Sequence, residues 1–207
     1  MRGYRFYDAF TGLEAAIVLI AFVVVAALFS YVVLGAGFFT TQKAQETVYS
    51  GVDMASSSLE ILGDIYGNST EEGGTNAQID GVMFVTGLTA GGGSIDFSRT
   101  TLTYSDSENV TRIDRSSSIT SSSTNVVVDK ANVKQNEWAI IDIANDDSDK
   151  GALMENQEQF TIYVKLDTPN YIDKNKDFSI EIRPEKGAAY SIKRTAPARI
   201  YKMNVLY

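Results

Sequence analysis

A long apolar block near the N-terminus dominates the pattern of hydrophobic and polar positions. From Ala15 to Phe39 the chain reads AAIVLIAFVVVAALFSYVVLGAGFF and contains no charged side chain. As an α-helix, which rises 1.5 Å per residue, this block spans about 37 Å and is long enough to cross a bilayer. Because apolar residues cover every side of such a helix, all of its faces must be buried by lipid or by other copies of the helix.

After Phe39 the pattern becomes amphipathic, with apolar residues spaced by three or four positions. The residues that carry this spacing are Val48, Val52, Ala55, Leu59 and Leu62. The spacing predicts that the helix continues to about Leu62, beyond which Gly63 and Gly67 supply stop signals. We therefore assign residues 10–66 to one N-terminal helix, and the polar, glycine-rich residues 67–78 to a linker.

From Ile79 onward the pattern is that of β-structure. Short runs of β-branched and aromatic residues, such as QFTIYVKL and FSIEIRP, are separated by Gly, Asp, Asn, Ser and Pro. Strands of this length and spacing predict an outer β-sandwich domain over residues 79–207. The predicted fold class is α+β: a long N-terminal hydrophobic α-helix followed by an immunoglobulin-like antiparallel β-sandwich.

The amino-acid composition excludes several classes of function. The 207 residues carry a formal net charge of −8 and include no Cys and no His. An acidic chain lacks the clustered Lys and Arg that binding to nucleic acid requires. The missing residue types exclude thiol nucleophiles, imidazole bases and Cys/His zinc sites, and no GxxxxGK[ST] loop marks a nucleotide-driven motor. We expect no enzyme activity and no cofactor.

The residues before the apolar block resemble a secretion leader only in part. Met1 to Ala9 include Arg2 and Arg5, but the block is too long for the apolar region of an ordinary signal peptide. This composition predicts a cut before the block, so that the block stays in the mature protein. The hexapeptide AFTGLE at residues 9–14, leading into the block, resembles the start of archaellins, the archaeal flagellins, and more distantly that of type IV pilins.

This resemblance implies a processed leader and a partner that removes it. A prepilin-type leader peptidase would cut between Ala9 and Phe10 and leave residues 1–9 as the cleaved leader. The family usually has Gly before the cut and Lys or Arg just upstream, whereas this sequence has Asp8 and Ala9. A cut after Gly3 is the alternative.

A second resemblance lies at the C-terminal end, where residues 178–197, FSIEIRPEKGAAYSIKRTAP, resemble the C-terminal hairpin of archaellins. The two resemblances imply a structural subunit of the archaeal motility filament, the archaellum, which polymerises with itself as a helical extracellular surface filament, either alone or together with other archaellins. They also imply insertion into the membrane before assembly and an external ATPase motor. The alternatives are a pilin-like adhesion filament subunit and a membrane-anchored binding domain.

Glu14 needs an explanation, because a carboxylate buried among apolar helices is costly unless it is paired. One hypothesis is that Glu14 accepts a hydrogen bond from the α-amino group of Phe10, in its own or a neighbouring subunit, and thereby sets the filament register. The alternative is a carboxylate in the first helical turn, stabilised by the helix dipole by about 0.3–1 kcal/mol.

Two N-x-[ST] triplets predict N-glycosylation at Asn68 and Asn109. Glycosylation suits a secreted surface, and the resemblance supports it because archaellins are commonly N-glycosylated.

Two acidic clusters alternate oxygen-bearing side chains as a calcium site does: Asn145, Asp147 and Asp149, and separately Asp173, Asn175 and Asp177. Both lack the Gly at the sixth position and the Glu at the twelfth that an EF-hand loop uses. We expect solvated turns and no metal site.

Overall fold

The computed structural model describes residues 5–56, 58–71, 73–74, 76–120, 124–146 and 150–207. Within α1, defined below, side chains are described from residue 12 onward, apart from those of residues 53, 55 and 56. The chain divides into two compact units, Met1–Gly51 and Val52–Tyr207. Each unit is described by itself.

One continuous helix, α1 (Arg5–Ser56), accounts for the described residues of the first unit and for the start of the second. Its 52 residues are rich in Ala, Val and Phe and contain no Pro. Apolar positions occupy all sides of the helix through residue 39, as the sequence predicts.

The predicted end of this helix near Leu62 is wrong, and so are the boundaries at residue 66 and at the linker 67–78. The helix ends at Ser56, and a ten-residue strand, β1 (Leu59–Asn68), follows. Residues 56–58 are three consecutive serines, which favour turns and caps over helix interiors. Leu59 belongs to the buried core of the β domain, so tertiary burial overrides the helical spacing.

Gly63 was expected to stop a helix, and it has a different role. It lies where the register of β1 shifts against the next strand, between Leu62 and Tyr66, and its φ angle is +75°. Glycine adopts this left-handed backbone without a steric penalty, so it suits a β-bulge.

Ten further strands follow β1: β2 (Gly81–Leu88), β3 (Ile95–Asp96), β4 (Thr101–Asp106), β5 (Val110–Arg115), β6 (Glu137–Ala144), β7 (Leu153–Met154), β8 (Gln159–Lys165), β9 (Asp177–Arg183), β10 (Tyr190–Thr195) and β11 (Met203–Leu206). Phe97–Arg99 and Lys130–Asn132 form short 3-10 helices. The strand order of the large sheet is β10-β9-β4-β5-β6-β8-β2-β1-β11, and β3 pairs with β7 in a small second sheet.

The large sheet consists of two half-sheets joined at one short pairing. The first half-sheet is β10-β9-β4-β5 and the second is β6-β8-β2-β1-β11. All pairings within them are antiparallel, whereas β5 and β6 meet in parallel over two residue pairs. The two ends of the strand order also come together, because the Thr195 N–H donates to the Tyr207 carbonyl at 2.7 Å.

One apolar core lies between the half-sheets. Alternate residues of each strand enter it, as Phe178, Ile180 and Ile182 do in β9. Phe97 packs against Trp138 and Phe160 with ring centroids 6.4 and 5.2 Å apart. Since residues of both half-sheets share this core, the predicted class, a long helix followed by a mostly antiparallel β-sandwich, is confirmed.

Candidate assembly helix and surface sites

The surface of α1 is apolar and fully accessible. Its large apolar side chains from Leu13 to Met54 range in exposure from 51% at Val25 to 79% at Tyr31. Burying one such side chain completely contributes about 1.5–3 kcal/mol. The stretch Gly12–Val52 is also long and apolar enough to cross a bilayer. The helix therefore requires lipid or other protein around it.

Hydroxyl groups near the end of the apolar block are satisfied within the helix. Thr40 Oγ1 donates to the Ala36 carbonyl at 2.8 Å, and Thr41 Oγ1 donates to the Gly37 carbonyl at 2.9 Å. A hydroxyl that is already hydrogen-bonded loses less on leaving water than a free one. These two residues can thus enter an apolar environment without a partner from outside.

The charged residues on the described part of α1 stand at its two ends. Glu14 is exposed near the start, and the next charge along the chain is Lys43, whose ammonium lies 2.6 Å from Glu46. Between Glu14 and Lys43 no charge interrupts the surface. A neighbour packing along this stretch meets no unpaired ion.

The residues predicted at the processing site lie on the same helix as Glu14. The backbones of Ala9 and Phe10 belong to α1, and their side chains fall outside the described ones. Glu14 is four positions after Phe10, and residues four apart lie on the same side of a helix. The predicted pairing of the Phe10 α-amino group with Glu14 remains a prediction.

The two predicted glycosylation sites differ in their surroundings. Asn68 ends β1 between Gly81 of β2 and Met203 of β11, and its Oδ1 is buried with no hydrogen-bond partner among the described residues. Asn109 lies in the turn between β4 and β5, partly exposed, beside Val110, which is 75% exposed. Both asparagines are partly exposed, but Asn109 lies in a turn, whereas the amide oxygen of Asn68 is buried between paired strands.

A buried carboxylate that sequence reasoning missed holds the turn at Asn109. One oxygen of Asp106, Oδ1, accepts hydrogen bonds from the backbone N–H groups of Glu108 and Asn109, both at 2.7 Å. The other, Oδ2, accepts from the Tyr104 hydroxyl at 3.1 Å and lies 3.1 Å from Lys176 Nζ. An Asp at a strand end followed by the polar residues Ser-Glu-Asn is the signal that could have indicated this turn.

These contacts decide the protonation state of Asp106. Burial alone would raise the pKa of its carboxyl, but the two backbone N–H groups, Lys176 and Tyr104 together lower that pKa to about 2. Burial, followed by the nearby Asp106 charge, raises the pKa of Tyr104. Asp106 is accordingly ionised and Tyr104 protonated at neutral pH.

In the cluster of Asp173, Asn175 and Asp177, both carboxylates accept hydrogen bonds from within the β domain. Asp173 accepts from Gln78 Nε2 at 2.8 Å, and Asp177 accepts from the Thr195 hydroxyl at 2.6 Å. Of the other cluster, Asp147 and Asp149 lie outside the described residues. Among the described residues, no group of three or more acidic side chains is placed to hold a metal ion.

A long helix with an uncharged, accessible surface, joined to a β domain with its own core, defines a class of surface protein that inserts or polymerises through its N-terminal helix. The sequence model of the family described as archaeal-type flagellin matches residues 9–194. The chain belongs to the archaeal-type flagellins.

Individual relatives agree with this assignment. Probable flagellin 1 of Archaeoglobus fulgidus is 43% identical over 209 residues, covering 100% of this chain and 98% of that protein. The structure of the archaeal flagellum of Methanospirillum hungatei strain JF1 is similar with a TM-score of 0.67 and 31% identity, covering 95% of this chain and 99% of that one. Flagellin FlaB1 of Methanocaldococcus jannaschii, at 18% identity, TM-score 0.55, and coverage of 72% and 95%, shares the fold.

Membership in this family confirms the predicted resemblance to archaellins and the predicted structural, non-enzymatic role. The two alternatives, a pilin-like adhesion subunit and a membrane-anchored binding domain, are not favoured.

The Asp106 network predicts a pH-dependent stability. Because the folded-state pKa lies below the ordinary value of 3.8, the stabilisation by the Asp106 carboxylate is fully present above about pH 4 and is lost as the pH falls towards 2. We expect Asp106→Asn to lower the free energy of unfolding at pH 6 by roughly 1–3 kcal/mol, and by progressively less between pH 4 and 2.

The measurement is denaturant unfolding of residues 58–207, which contain every residue of the apolar core. The matched control is Glu108→Gln, whose carboxylate is 73% exposed and lies 3.9 Å from Lys176; we expect it to change the unfolding free energy little at any pH. A constant Asp106→Asn effect from pH 6 to pH 2 would contradict the assignment.

Proposed function

We propose that this chain is the structural subunit of an archaeal motility filament and that it polymerises through α1. The observation that carries the proposal is the accessible, uncharged surface of α1 between Glu14 and Lys43, which copies of the helix can bury against one another. The similar flagellum structure of Methanospirillum hungatei supports the same role. The β domain, with its own core, decorates the outside of the filament.

Processing by a prepilin-type leader peptidase precedes assembly. A cut between Ala9 and Phe10 removes Arg2, Arg5 and Asp8, the charged residues that precede Glu14. The new N-terminus then lies on α1, directly at the start of its apolar part. Before assembly the stretch Gly12–Val52 resides in the membrane, for which its length suffices. Rotation of the filament is driven by an external ATPase motor.

Sheared surface filaments test the function. We expect them to contain this chain as a polymer with Phe10 at its N-terminus, and we expect cells that lack the chain to stop swimming. The measurements are N-terminal sequencing of the filament protein and a swimming assay with the gene restored as control. An N-terminus at residue 4 would support the cut after Gly3. Swimming without the chain, combined with a loss of surface attachment, would favour an adhesion filament.

Glu14 sets the axial register in this proposal. After the cut, the α-amino group of Phe10 carries a positive charge at the start of a helix whose flanking surface is apolar. Glu14 is the nearest carboxylate, and pairing offsets the desolvation cost of both charges. The pair sets the register when the ammonium group belongs to a neighbouring copy, because a neighbour displaced along α1 then leaves both ions unpaired. A pair within one chain would not respond to such a shift.

For Glu14→Gln we expect a marked fall in filament yield, because the uncharged amide cannot pair with the ammonium group of Phe10. The measurement is the ratio of filament to cell-bound subunit in cells that express the variant alone. Glu71→Gln, an exposed carboxylate in the β domain, is the matched control and should assemble normally. If Glu14→Gln forms normal filaments, Glu14 does not set the register, and its remaining role is the stabilisation of the helix start through the helix dipole.

N-glycosylation occupies Asn109 before Asn68 in this proposal. The turn at Asn109 presents a partly exposed amide next to exposed Val110, whereas Asn68 lies within paired strands with its Oδ1 buried. A glycosylating enzyme needs access to the acceptor amide and to the backbone around it. The Asp106 hydrogen bonds hold the Asn109 turn in one conformation.

Intact mass of the filament protein tests this order. We expect Thr111→Ala to remove a glycan mass, because it destroys the acceptor triplet and leaves Asn109 in place. Thr111→Ser keeps the triplet and is the control that should retain the glycan. If Asn68→Gln removes the larger mass instead, Asn68 is the principal acceptor.

A further inference from the structure

The outer faces of the two half-sheets differ in character. On the first half-sheet the outward residues are polar or charged apart from Val110 at the start of β5, and they include Thr101, Thr103, Arg112, Asp114, Glu181, Ser191 and Lys193. Such a face is stable in water. The second half-sheet is different over three adjacent strands, β2, β1 and β11.

On these three strands the outward residues are mainly apolar. Val205 lies opposite Tyr66, and Tyr66 lies opposite Met83, so the three side chains form one row across the sheet. Met203 and Val85 flank this row. We call Tyr66, Met83, Val85, Met203 and Val205 the apolar outer face.

The segment before β6 packs over part of the outer surface of the second half-sheet, and this packing stops at the apolar outer face. Val133, from the segment before β6, packs with Ala139 and Tyr163 in a small buried cluster, and Met83 lies at its margin. Towards β11 the exposure rises, to 54% at Met203 and 47% at Val205. An edge strand with exposed apolar side chains is a site for association.

The apolar outer face is continuous along the chain with the assembly helix. Its strand β1 begins three residues after α1 ends, and the last helical residues, from Val52 on, belong to the same compact unit as β1. Val52 and Met54 are themselves 61% and 58% exposed.

The chain itself indicates what covers this face. Outside α1 and the strand β11 with its flanking tyrosines, the exposed large apolar side chains of the described residues are scattered: Val110, Leu153 and Tyr190. A second copy can therefore present two extended apolar surfaces, its own apolar outer face and α1, and α1 is by far the longer. Contact between uncharged surfaces also avoids the repulsion between copies that each carry a net negative charge.

We propose that the apolar outer face packs against α1 of a neighbouring copy in the filament, as a second contact beside that between helices. The inference rests on the proposed function, because it requires a filament. Such a contact is heterologous, so it propagates along an open polymer instead of closing a dimer. It also directs Asn68, which lies beside Met203, towards a protein neighbour, and leaves Asn109 at the other half-sheet in solvent.

Assembly of a double variant is the first test. Met203→Ser combined with Val205→Ser removes two half-exposed apolar side chains, and we expect about tenfold or more unassembled subunit relative to filament. Val110→Ser is the control, since it removes a valine that is even more exposed (75%, against 47% for Val205) but lies outside the face, and it should assemble as the wild type does. Thermal unfolding of residues 58–207 should be nearly unchanged by the double variant, which separates lost contact from lost folding.

Cross-linking is the second test, and the absence of cysteine from the chain makes it clean. We expect Val205→Cys to form intermolecular disulfides in filaments when it is combined with a cysteine on α1 at Val48, Tyr49 or Val52. Ser191→Cys, on the polar face of the first half-sheet, should not cross-link to the same positions. Wild-type filaments are the reference in both tests.

The outcomes separate the two proposals. If the wild-type chain forms no filaments, the proposed function fails. If wild-type filaments form, normal assembly of the double variant together with no Val205 cross-link to α1 overturns the further inference alone. A cross-link of Val205→Cys to Ser191→Cys instead of to α1 would identify a contact between β domains and would also overturn it.

Discussion

The structure depends on one constraint: the surface of α1 cannot remain in water. Each of its large apolar side chains stands to contribute about 1.5–3 kcal/mol on burial, and no side of the helix is exempt. In the proposed function, lipid meets this requirement before assembly and other copies of the helix meet it afterwards, so the membrane and the filament are two alternative surroundings for the same segment. Transfer between them gains little hydrophobic free energy, which leaves close packing and a few polar contacts to decide the final arrangement.

The β domain meets the opposite requirement, because it must fold without help from the filament. Its core is complete within residues 59–206. The buried, ionised Asp106 carboxylate is stabilised by the charge of Lys176 and by hydrogen bonds from backbone N–H groups of the turn that follows it. The two half-sheets close around this core and present unlike outer surfaces: the first is mainly polar, and the second is mainly apolar over β2, β1 and β11. The β domain thus carries, as the whole chain does, one surface that is stable in water and one that is apolar.

Much of this organisation follows from the sequence. Twenty-five uncharged residues suffice to predict α1, and alternating β-branched residues suffice to predict the β domain. The boundary between them does not follow, because Leu59 and Leu62 fit a helical spacing as well as they fit β1, and only the core that receives Leu59 decides between them. Asp106 escapes notice for a related reason: its partner Lys176 lies 70 positions away, and no local pattern joins the two. The processing site and the Glu14 pairing rest on resemblance to the family, since the helix alone accommodates several cuts.

The uniform surface of α1 limits how precisely it can specify the position of a neighbouring helix. A surface that is apolar in every direction and uncharged for more than forty ångströms binds a neighbour strongly but scarcely distinguishes one offset or rotation from the next. Adhesion and alignment must therefore be encoded separately. The alignment is confined to the few places where the uniformity breaks, at the charged start of the helix, at the Lys43–Glu46 pair, and on the β domain. Sequence changes in the middle of α1 can alter the strength of the polymer without altering its geometry, while changes at those few places can alter the geometry without altering the strength.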